Sequence, residues 1–402
     1  MVSRSAGVIV IGLGSFGSAT AAELAGRGLD VVGLETFGPA HDQGSGHGGS
    51  RIIRQSYFEG ADYVPLLRSA YAGWRRLEER TGAQLLTLCG GLYIGSETSP
   101  IFAGACAAAQ RWELPHEVLD ADGIRARFPV LAPADDAMAV WEENAGYLRP
   151  EAAIRAHLDL ATERGAELHF GERVMDWRAT HDGVEVITEQ QNYAADRLVI
   201  TAGAWAPVLL RDLGLPLIVQ RQVMYWLQPE FTAASGYRDY TDWRLPVYIE
   251  ESASRDHQIY GFPMIDGPDG GLKIGIHHGS IIRESTADDL DRTVSDAEIA
   301  AVTERAQQLL PAIGARPVRA KVCMYTMTPD EDFVVGRHPD HDRVIIACGF
   351  SGHGFKFVPV IGEVLADLVQ HGATGHPVGM FDPCRMLSSS DRDRTGWPLQ
   401  SR

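Results

Sequence analysis

The chain has 402 residues, more than a single hydrophobic core usually organises, so its length predicts two domains. Its hydrophobic content of 45% is ordinary for a globular protein, while 36 basic residues against 53 acidic ones give a net charge of −17. Such an acidic chain repels nucleic acids and anionic membrane surfaces, so we expect neither as a partner.

The first predicted element is an apolar strand at residues 8–11, which leads into the motif Gly12-Leu13-Gly14-Ser15-Phe16-Gly17 and then a helix. Gly12 permits a tight turn, Gly14 lets a pyrophosphate approach the backbone, and Gly17 lets helix and strand pack closely. A second strand ends at Glu35, whose carboxylate can accept hydrogen bonds from a ribose. This pattern predicts a Rossmann-type cradle for FAD or NAD, and not a signal peptide or a membrane span.

A loop rich in glycine and histidine follows at residues 39–49, and Ser50-Arg51-Ile52-Ile53-Arg54 comes directly after it. If this segment is helical, Arg51 and Arg54 share one face and can present two guanidinium groups to one small anion. A solvated basic surface is the alternative interpretation. The acidic background and the neighbouring loop favour the ligand.

Residues 85–150 predict short strands and connectors outside the nucleotide domain, and a helix from residue 151 brings the chain back to it. Residues 220–321 alternate and are rich in aromatic side chains, which predicts a large sheet in a second domain. Within that region Lys273 and His277 lie on one face of a strand, and Leu272, Ile274 and Ile276 face the core. A solvated sheet face and a functional face explain this pattern equally well.

Near the C-terminus, Cys323 and Tyr325 share one face of a strand, although a free cysteine is more often a small buried hydrophobe. The five cysteines are scattered without C-x-x-C spacing, which argues against disulfides and a zinc site and favours a cytoplasmic location.

The segment His338-Pro339-Asp340-His341 predicts a surface turn, and we expect no metal. Glycine-rich residues 349–356 open a helix and form a second anion cradle beside Lys356. Residues from Ser388 onward predict a disordered tail.

Together these motifs resemble the family of monomeric sarcosine oxidase and N-methyltryptophan oxidase over nearly the whole chain. The resemblance implies an α/β fold, α+β overall, with a Rossmann-type FAD-binding domain beside a substrate domain built on a large mixed sheet. The FAD-binding domain is predicted to be discontinuous, at residues 1–84, 151–220 and 322–386. The substrate domain would take residues 85–150 and 221–321, and residues 387–402 the tail.

The same resemblance implies a role for each matched residue. FAD is expected to be attached covalently through Cys323, with Arg51 and Lys273 as the two cations flanking the flavin ring. Arg54 and Lys356 are expected to hold the substrate carboxylate. The residues implied to line the amine pocket or to act in catalysis are Lys273, His277, Arg51, Tyr325 and Tyr260. The residues implied to contact the cofactor are Gly12, Gly14, Gly17, Glu35, Ser45, Ser50, Arg51, Val174, Cys323, Gly352, Gly354 and Lys356.

The function that the resemblance implies is a flavoprotein oxidase, in which a secondary amino acid gives a hydride equivalent to FAD, and O2 reoxidises the flavin to yield hydrogen peroxide. Demethylation of an N-methyl amino acid, as in sarcosine oxidase, is the favoured reaction. Oxidation of a cyclic imino acid such as pipecolate or proline is an alternative. The glycine cradle alone would also allow an NAD-dependent dehydrogenase, and a flavin-binding protein without turnover is a further possibility. The expected partners are a small amino acid and O2, and we expect a monomer.

Overall fold

The computed structural model describes residues 2–232, 235–251, 258–277 and 282–387. The tail predicted from Ser388 onward lies outside these residues. In chain order, the strands are β1 (Val2–Ile11), β2 (Val31–Glu35), β3 (Arg51–Ile53), β4 (Leu86–Leu88), β5 (Gly91–Gly95), β6 (Glu117–Asp120), β7 (Met138–Glu142), β8 (Gly146–Leu148), β9 (Glu167–Phe170), β10 (Val174–Ala179), β11 (Val184–Thr188), β12 (Asn192–Ile200), β13 (Ile218–Pro229), β14 (Val247–Glu250), β15 (Ile259–Gly261), β16 (Leu272–Ile276), β17 (Arg283–Ser285), β18 (Ile313–Met327), β19 (Val334–His338) and β20 (His341–Cys348).

The α-helices are α1 (Ser15–Gly26), α2 (Val64–Thr81), α3 (Pro100–Arg111), α4 (Ala121–Arg127), α5 (Pro150–Glu163), α6 (Ala206–Leu209), α7 (Asp296–Leu309) and α8 (Val358–His371). A proline in the first turn starts α2, α3, α5 and α8, where its missing N–H has no intrahelical partner to lose. α2 and α8 end at Gly82 and Gly372, both in the left-handed conformation. Among the described residues, no helix has both the length and the apolar content needed to cross a membrane.

The first sheet has eight strands and carries the glycine motif. β1 is parallel to β2 on one side and to β12 on the other, and β9 extends the sheet beyond β2. Along its other edge β12 has two partners, because residues 192–195 pair with β11 and residues 198–200 pair with β20. β10 and β19 complete the sheet beyond β11 and β20.

Both faces of this sheet are covered, which explains the continuous apolar run of β1. Val8 and Val10 face a core shared with α1, α2, α5 and α8, whereas Ile9 and Ile11 face a second core that includes α6. A parallel strand buried on both faces needs apolar residues at every position. The predicted βαβ unit of β1, α1 and β2 is therefore confirmed.

The second sheet has nine strands in the order β17-β13-β16-β15-β14-β5-β7-β6, with β18 on the other edge of β13. β14 and β5 are parallel and the other neighbours are antiparallel, so the sheet is mixed. Its aromatic and aliphatic core includes Tyr225, Tyr248 and residues of α7. The predicted α/β class with a large mixed second sheet is confirmed. β13 and β18 run through the predicted domain boundaries at residues 220 and 322, and the division into domains stays a prediction.

A third sheet, in the order β3-β8-β4, corrects the helical interpretation of residues 50–54. Arg51 pairs with Leu148 and Ile53 with Gly146 in an antiparallel ladder, so the two arginines do not share a helix face. The second correction concerns His338, which ends β19 and is buried, while Pro339 and Asp340 form the turn to β20. His338 hydrogen-bonds Asp212 through Nε2 at 3.1 Å, so only part of the predicted surface turn is at the surface.

Candidate active site

A cavity of about 270 Å³ lies beyond the carboxyl ends of β1, β2, β12 and β20. Its lining includes the segments that follow those strands, within residues 11–16, 34–37, 201–205 and 347–355. Parallel sheets bind ligands in this position because adjacent loops diverge there. The glycine cradle predicted from the sequence and the predicted second cradle at residues 349–356 therefore border one cavity.

The geometry of the glycine motif suits a pyrophosphate. Gly12 has a φ of +83°, and a Cβ on Gly17 would lie 1.7 Å from the carbonyl oxygen of Gly12, so neither position accepts a side chain. A Cβ on Gly14 would point into open space, which leaves room for a ligand to approach the backbone. Within the described residues, the first turn of α1 carries neither an acidic residue nor a side-chain cap, so its N–H groups can bind an anion.

Glu35 lines the same cavity and also shapes the turn. One carboxylate oxygen accepts a hydrogen bond from the N–H of Leu13 at 2.9 Å, and the other accepts one from the N–H of Phe37 at 3.0 Å. The oxygen that binds Leu13 keeps a second lone pair for a ligand hydroxyl, and Nε2 of His41 lies 3.4 Å from the other oxygen. The predicted cofactor residues Ser45, Val174, Gly352 and Gly354 border this cavity as well.

Ser351 marks the place where the second cradle is strained. Its φ of 46° is unusual for a residue with a side chain. Its hydroxyl accepts a hydrogen bond from the N–H of Thr328 at 3.2 Å, and its N–H donates to the carbonyl oxygen of Thr326 at 2.9 Å. The end of β18 thus holds the turn that presents Gly352 and Gly354, and such strain persists only where the surroundings fix it.

A second cavity of about 80 Å³ adjoins the first. Arg51, Tyr325, Gly352 and Phe355 border both. Every residue predicted for catalysis or substrate binding borders the second one, namely Arg51, Arg54, Tyr260, Lys273, His277, Tyr325 and Lys356. Cys323 and Ser50 also line it. Of the residues predicted from the sequence, only Gly17 borders neither cavity, and it acts through the packing of Gly12.

Arg51 and Cys323 meet where the two cavities adjoin. The guanidinium of Arg51 donates to the carbonyl oxygens of Ser45 at 2.7 Å and Ser50 at 2.8 Å, and one of its nitrogens lies 3.8 Å from Sγ of Cys323. The side chain of Cys323 is buried and faces the cavity from β18, on the same strand face as Tyr325. Cys323 therefore presents its side chain to the second cavity beside the guanidinium of Arg51.

Lys273 is buried beside Arg51. Its ammonium donates to the carbonyl oxygens of Gly48 at 2.9 Å and Ser50 at 2.7 Å, and it lies 4.9 Å from the centre of the Phe262 ring. Burial, and secondly the charge of Arg51, lower the pKa of Lys273 well below its usual value. The burial of Lys273 rules out a solvated lysine at this position, and its functional role stays a prediction.

A wall of polar rings also lines the second cavity. Nδ1 of His277 lies 3.2 Å from the hydroxyl of Tyr325, and the rings of Tyr260 and His277 meet edge to face. Burial raises the pKa of Tyr260 to about 12, and burial also raises that of Tyr325. Gly275 makes room for this wall, because a Cβ there would lie 2.4 Å from the hydroxyl of Tyr260.

Arg54 is 1% exposed and forms an ion pair with Glu59 inside the second cavity. Its guanidinium lies 4.4 Å from the centre of the Tyr57 ring and 4.1 Å from that of Phe58. Burial would raise the pKa of Glu59, but the charge of Arg54, with smaller contributions from His353 and Lys356, outweighs burial and holds it at about 2. Glu59 is therefore an anion placed among cations.

Lys356 approaches the same region from the second cradle. Its ammonium donates to the carbonyl oxygen of His353 at 2.6 Å and lies 3.4 Å from the hydroxyl of Tyr57. That hydroxyl lies 2.5 Å from Nδ1 of His353, whose Nε2 lies 3.0 Å from the carbonyl oxygen of Glu331. Burial, and secondly Arg54, lower the pKa of Lys356 to about 7, while Glu59 opposes them. Near pH 7 the charge of Lys356 thus depends on the charged groups beside it, Arg54 and Glu59.

Three buried polar groups that line the second cavity have no hydrogen-bond partner among the described residues. They are the hydroxyl of Ser50, Nε of Arg54 and the amide nitrogen of Gln222. Gln222 pairs with Cys323 across β13 and β18, so both side chains lie on the same sheet face. Unsatisfied buried groups are costly, and a polar cofactor or substrate would satisfy them.

Sequence reasoning did not find several residues of this site, namely Glu59, Gln222, Phe262 and His353. One signal was available for Glu59, because an acid five residues after Arg54 is a natural partner for it. No comparable signal marks the others, since they reach the cavity only through the pairing of distant strands.

Three comparisons with known proteins agree with this geometry. A family model described as FAD dependent oxidoreductase matches residues 7–368. Monomeric sarcosine oxidase of Streptomyces avermitilis is 50% identical over 95% of this chain and 98% of its own length. N-methyl-L-tryptophan oxidase of Yersinia pestis is 35% identical over 94% of this chain and 98% of its own length. The structure of NikD, an unusual amino acid oxidase of nikkomycin biosynthesis, covers 100% of both chains with a TM-score of 0.82 at 23% identity, which is a likeness of fold.

Proposed function

The chain belongs to the family of FAD-dependent oxidoreductases, and from this premise we propose that it oxidises the secondary amine of a small amino acid to an imine. Because the cofactor of this family is FAD, the alternative function of an NAD-dependent dehydrogenase is dropped. When bound, FAD accepts the hydride equivalent from the amine and passes its electrons to O2, which leaves as hydrogen peroxide. The residues of the chain bind the cofactor and the substrate, orient the reacting C–H and polarise the groups around the amine.

One observation carries this proposal: four basic side chains and a wall of polar rings line a small cavity that adjoins the glycine cradle. An amino acid in the second cavity would thus lie next to a dinucleotide in the first. A cavity of about 80 Å³ favours a substrate of the size of sarcosine over one with an indole side chain. Oxidation of a cyclic imino acid such as pipecolate or proline is the second candidate, since a compact ring is compatible with the same space.

Arg54 and Lys356 are the proposed ligands of the substrate carboxylate. A guanidinium can bind a carboxylate through two parallel hydrogen bonds, which fixes its orientation as well as its position. Holding one end of the substrate leaves the reacting C–H in a defined place, which removes part of the entropic barrier. That Arg54 already pairs with the carboxylate of Glu59 supports this assignment.

His277, Tyr260 and Tyr325 are proposed to surround the amine. All three groups can accept and donate hydrogen bonds, and the raised pKa values of both tyrosines keep their hydroxyls neutral near pH 7. A secondary amine must lose its proton before it can give up a hydride equivalent. A wall without negative charge favours the neutral amine.

The proposed cofactor contacts follow from the first cavity and from the junction of the two. The glycine cradle and the N–H groups of α1 would bind the pyrophosphate, and Glu35 the ribose. Arg51 and Lys273 would lie beside the flavin ring, and Cys323 would form the covalent bond to it. The buried position of Cys323 beside Arg51 supports that linkage. We further propose that the protein is a monomer. A location in the cytoplasm is proposed as well, and the five free cysteines support it.

A screen for peroxide release tests the proposal. Purified protein would be mixed in air with sarcosine, N-methyl-L-tryptophan, pipecolate and proline, and bleaching of the flavin would be followed separately without oxygen. We expect peroxide and bleaching with sarcosine above the other three. Bleaching without peroxide would indicate a dehydrogenase, and no bleaching with any amine would contradict the proposal.

A further inference from the structure

A buried carboxylate outside both cavities holds the segment that carries Arg54. Glu142, the last residue of β7, accepts hydrogen bonds from the backbone N–H of Gln55 at 2.8 Å and from that of Ser56 at 2.9 Å. The hydroxyl of Tyr93 donates a third at 3.1 Å. Glu142 is 1% exposed, so these three hydrogen bonds stand in for its hydration.

The chemistry of Glu142 matches two adjacent donors. Each of its oxygens takes one backbone N–H, whereas a glutamine would turn an NH2 group towards one of them. Burial raises the pKa of Glu142, and the hydrogen bonds from Ser56 and Gln55 oppose that rise. If this position served only to fill space, an apolar residue would do so without the cost of burying a carboxylate.

The same turn is held from its inner side by Arg54 itself. One guanidinium nitrogen of Arg54 donates to the carbonyl oxygen of Ser56 at 3.2 Å, and another pairs with Glu59. Tyr93 touches both sides, because its ring lies 5.5 Å from the Arg54 guanidinium and its hydroxyl bonds Glu142. When Arg54 exchanges Glu59 for a substrate carboxylate, the ion pair between Arg54 and Glu59 is lost. The hydrogen bonds from residues 55 and 56 to Glu142 remain.

We propose that Glu142 is a positioning residue for Arg54. It fixes the backbone of residues 55 and 56 from outside the cavity, so that the guanidinium keeps its place while its carboxylate partner changes. This inference rests on the proposed function, in which Arg54 binds the substrate carboxylate. A misplacement of about 1 Å at such a group can cost on the order of a hundredfold in rate, so the effect is measurable.

The experiment compares Glu142→Gln with Glu250→Gln in the flavin-containing enzyme. Glu250 is a matched control, because it is also a buried carboxylate of the second sheet, but it pairs with Arg305 and borders neither cavity. The probe is methoxyacetate, which carries a carboxylate and no oxidisable amine, and its Kd is read from the flavin spectrum. The second measurement is kcat/KM for sarcosine divided by kcat/KM for dimethylamine, which lacks the carboxylate.

We expect Glu142→Gln to raise the Kd of methoxyacetate at least tenfold and to lower the sarcosine to dimethylamine ratio by a similar factor. Glu250→Gln should lower the melting temperature and leave both values within twofold. Glu142→Asp, which keeps two acceptor oxygens, should recover part of the loss. An equal loss with both amines, or an unchanged Kd, would overturn the proposal.

Arg54→Gln, measured in parallel, separates this inference from the proposed function. If Arg54→Gln leaves the Kd of methoxyacetate unchanged, the carboxylate assignment itself fails. If it weakens binding and Glu142→Gln does not, only the role of Glu142 fails. The double variant should bind no more weakly than Arg54→Gln alone, because Glu142 acts through Arg54.

Tyr93→Phe keeps the test decisive if Glu142→Gln does not fold. This variant retains the ring beside Arg54 and removes one of the three hydrogen bonds to Glu142. We expect a smaller weakening of methoxyacetate binding in the same direction, with dimethylamine turnover within twofold of the wild type. An unchanged Kd in a folded Tyr93→Phe enzyme would count against the proposal.

Discussion

Arg54 and Glu59 form an ion pair within the cavity proposed for the substrate, so the guanidinium assigned to the substrate carboxylate already holds a carboxylate of its own chain. The two residues are five positions apart on one turn. Binding a substrate is therefore an exchange of partners for Arg54, and the loss of the ion pair with Glu59 offsets part of the affinity that the substrate carboxylate gains.

The first prediction concerns Arg54 itself. Arg54→Ala should weaken binding of the amino acid substrate about ten- to a hundredfold, since a hydrogen bond to a charged group contributes roughly 1.5–3 kcal/mol. An amine without a carboxylate should lose a similar factor in the wild-type enzyme. Steady-state kinetics with sarcosine and dimethylamine measure both. Equal turnover of the two amines by the wild type would refute the assignment.

The second prediction concerns Glu59, which competes with the substrate carboxylate for Arg54. Glu59→Gln should strengthen methoxyacetate binding by up to about tenfold, because Arg54 no longer gives up a charged partner. The titration is done at pH 6, since Glu59 raises the pKa of Lys356 and its loss would partly neutralise that lysine at higher pH. Glu363→Gln is the control, because Glu363 pairs with Arg76 and borders neither cavity. Weaker binding in Glu59→Gln would mean that Glu59 assists the ligand.

The third prediction is a pH dependence set by Lys356. Its pKa of about 7 means that the ammonium is present below pH 7 and is lost as the pH rises. Because a carboxylate favours the charged form, the Kd of methoxyacetate should be flat below pH 6 and rise up to about tenfold per pH unit above 7. His353 does not interfere, since burial lowers its pKa to about 4. Lys356→Met should bind more weakly at pH 6 and lose the dependence, and a wild-type Kd that is flat from pH 6 to 9 would exclude Lys356.

The fourth prediction is that Cys323 holds the flavin. Acid precipitation of the wild-type protein should leave the yellow colour in the pellet, and Cys323→Ser should release it to the supernatant. Cys348→Ser is the matched control, because Cys348 is buried in the first sheet, where burial raises the pKa of its thiol to about 12. Flavin that leaves the wild-type pellet completely would disprove the linkage.

The fifth prediction is that Lys273 promotes the reaction with oxygen. Negative charge develops when O2 accepts an electron, and a fixed ammonium beside that place lowers the barrier without tightening the ground state. Lys273→Met should slow flavin reoxidation by roughly a hundredfold or more and slow flavin reduction by much less. The variant should fold, because methionine fills the same space without the cost of burying a charge.

Stopped-flow measurement of the two half-reactions separates these effects of Lys273. Reoxidation of Lys273→Met at the wild-type rate would shift the role to Arg51, the other cation beside the junction of the cavities. Because burial lowers the pKa of Lys273, the wild-type reoxidation rate should also fall as the pH rises and the ammonium is lost.

The features that the sequence could predict depend on short patterns of neighbouring residues. The turn at Gly12 and the shared face of Lys273 and His277 depend on periodicity within a few residues, and the structure places both beside ligand cavities. The interpretation of residues 50–54 as a helix was wrong because β3 forms through pairing with β8, which lies almost a hundred positions away. Tyr57 and His353 meet by the same kind of distant contact, and no short pattern could have joined them.

The divided edge of β12 has a consequence for how the protein is made. Residues 198–200 pair with β1 on one edge and with residues 344–346 on the other, so the second edge has no neighbour until the late hairpin of β19 and β20 has been synthesised. At about 5–20 residues per second, a ribosome leaves that edge open for on the order of ten seconds. During this interval the nascent chain presents an open strand edge of the kind that recruits other chains. Yield in a host cell should therefore respond to translation speed and to chaperone supply before it responds to any change in the catalytic cavity.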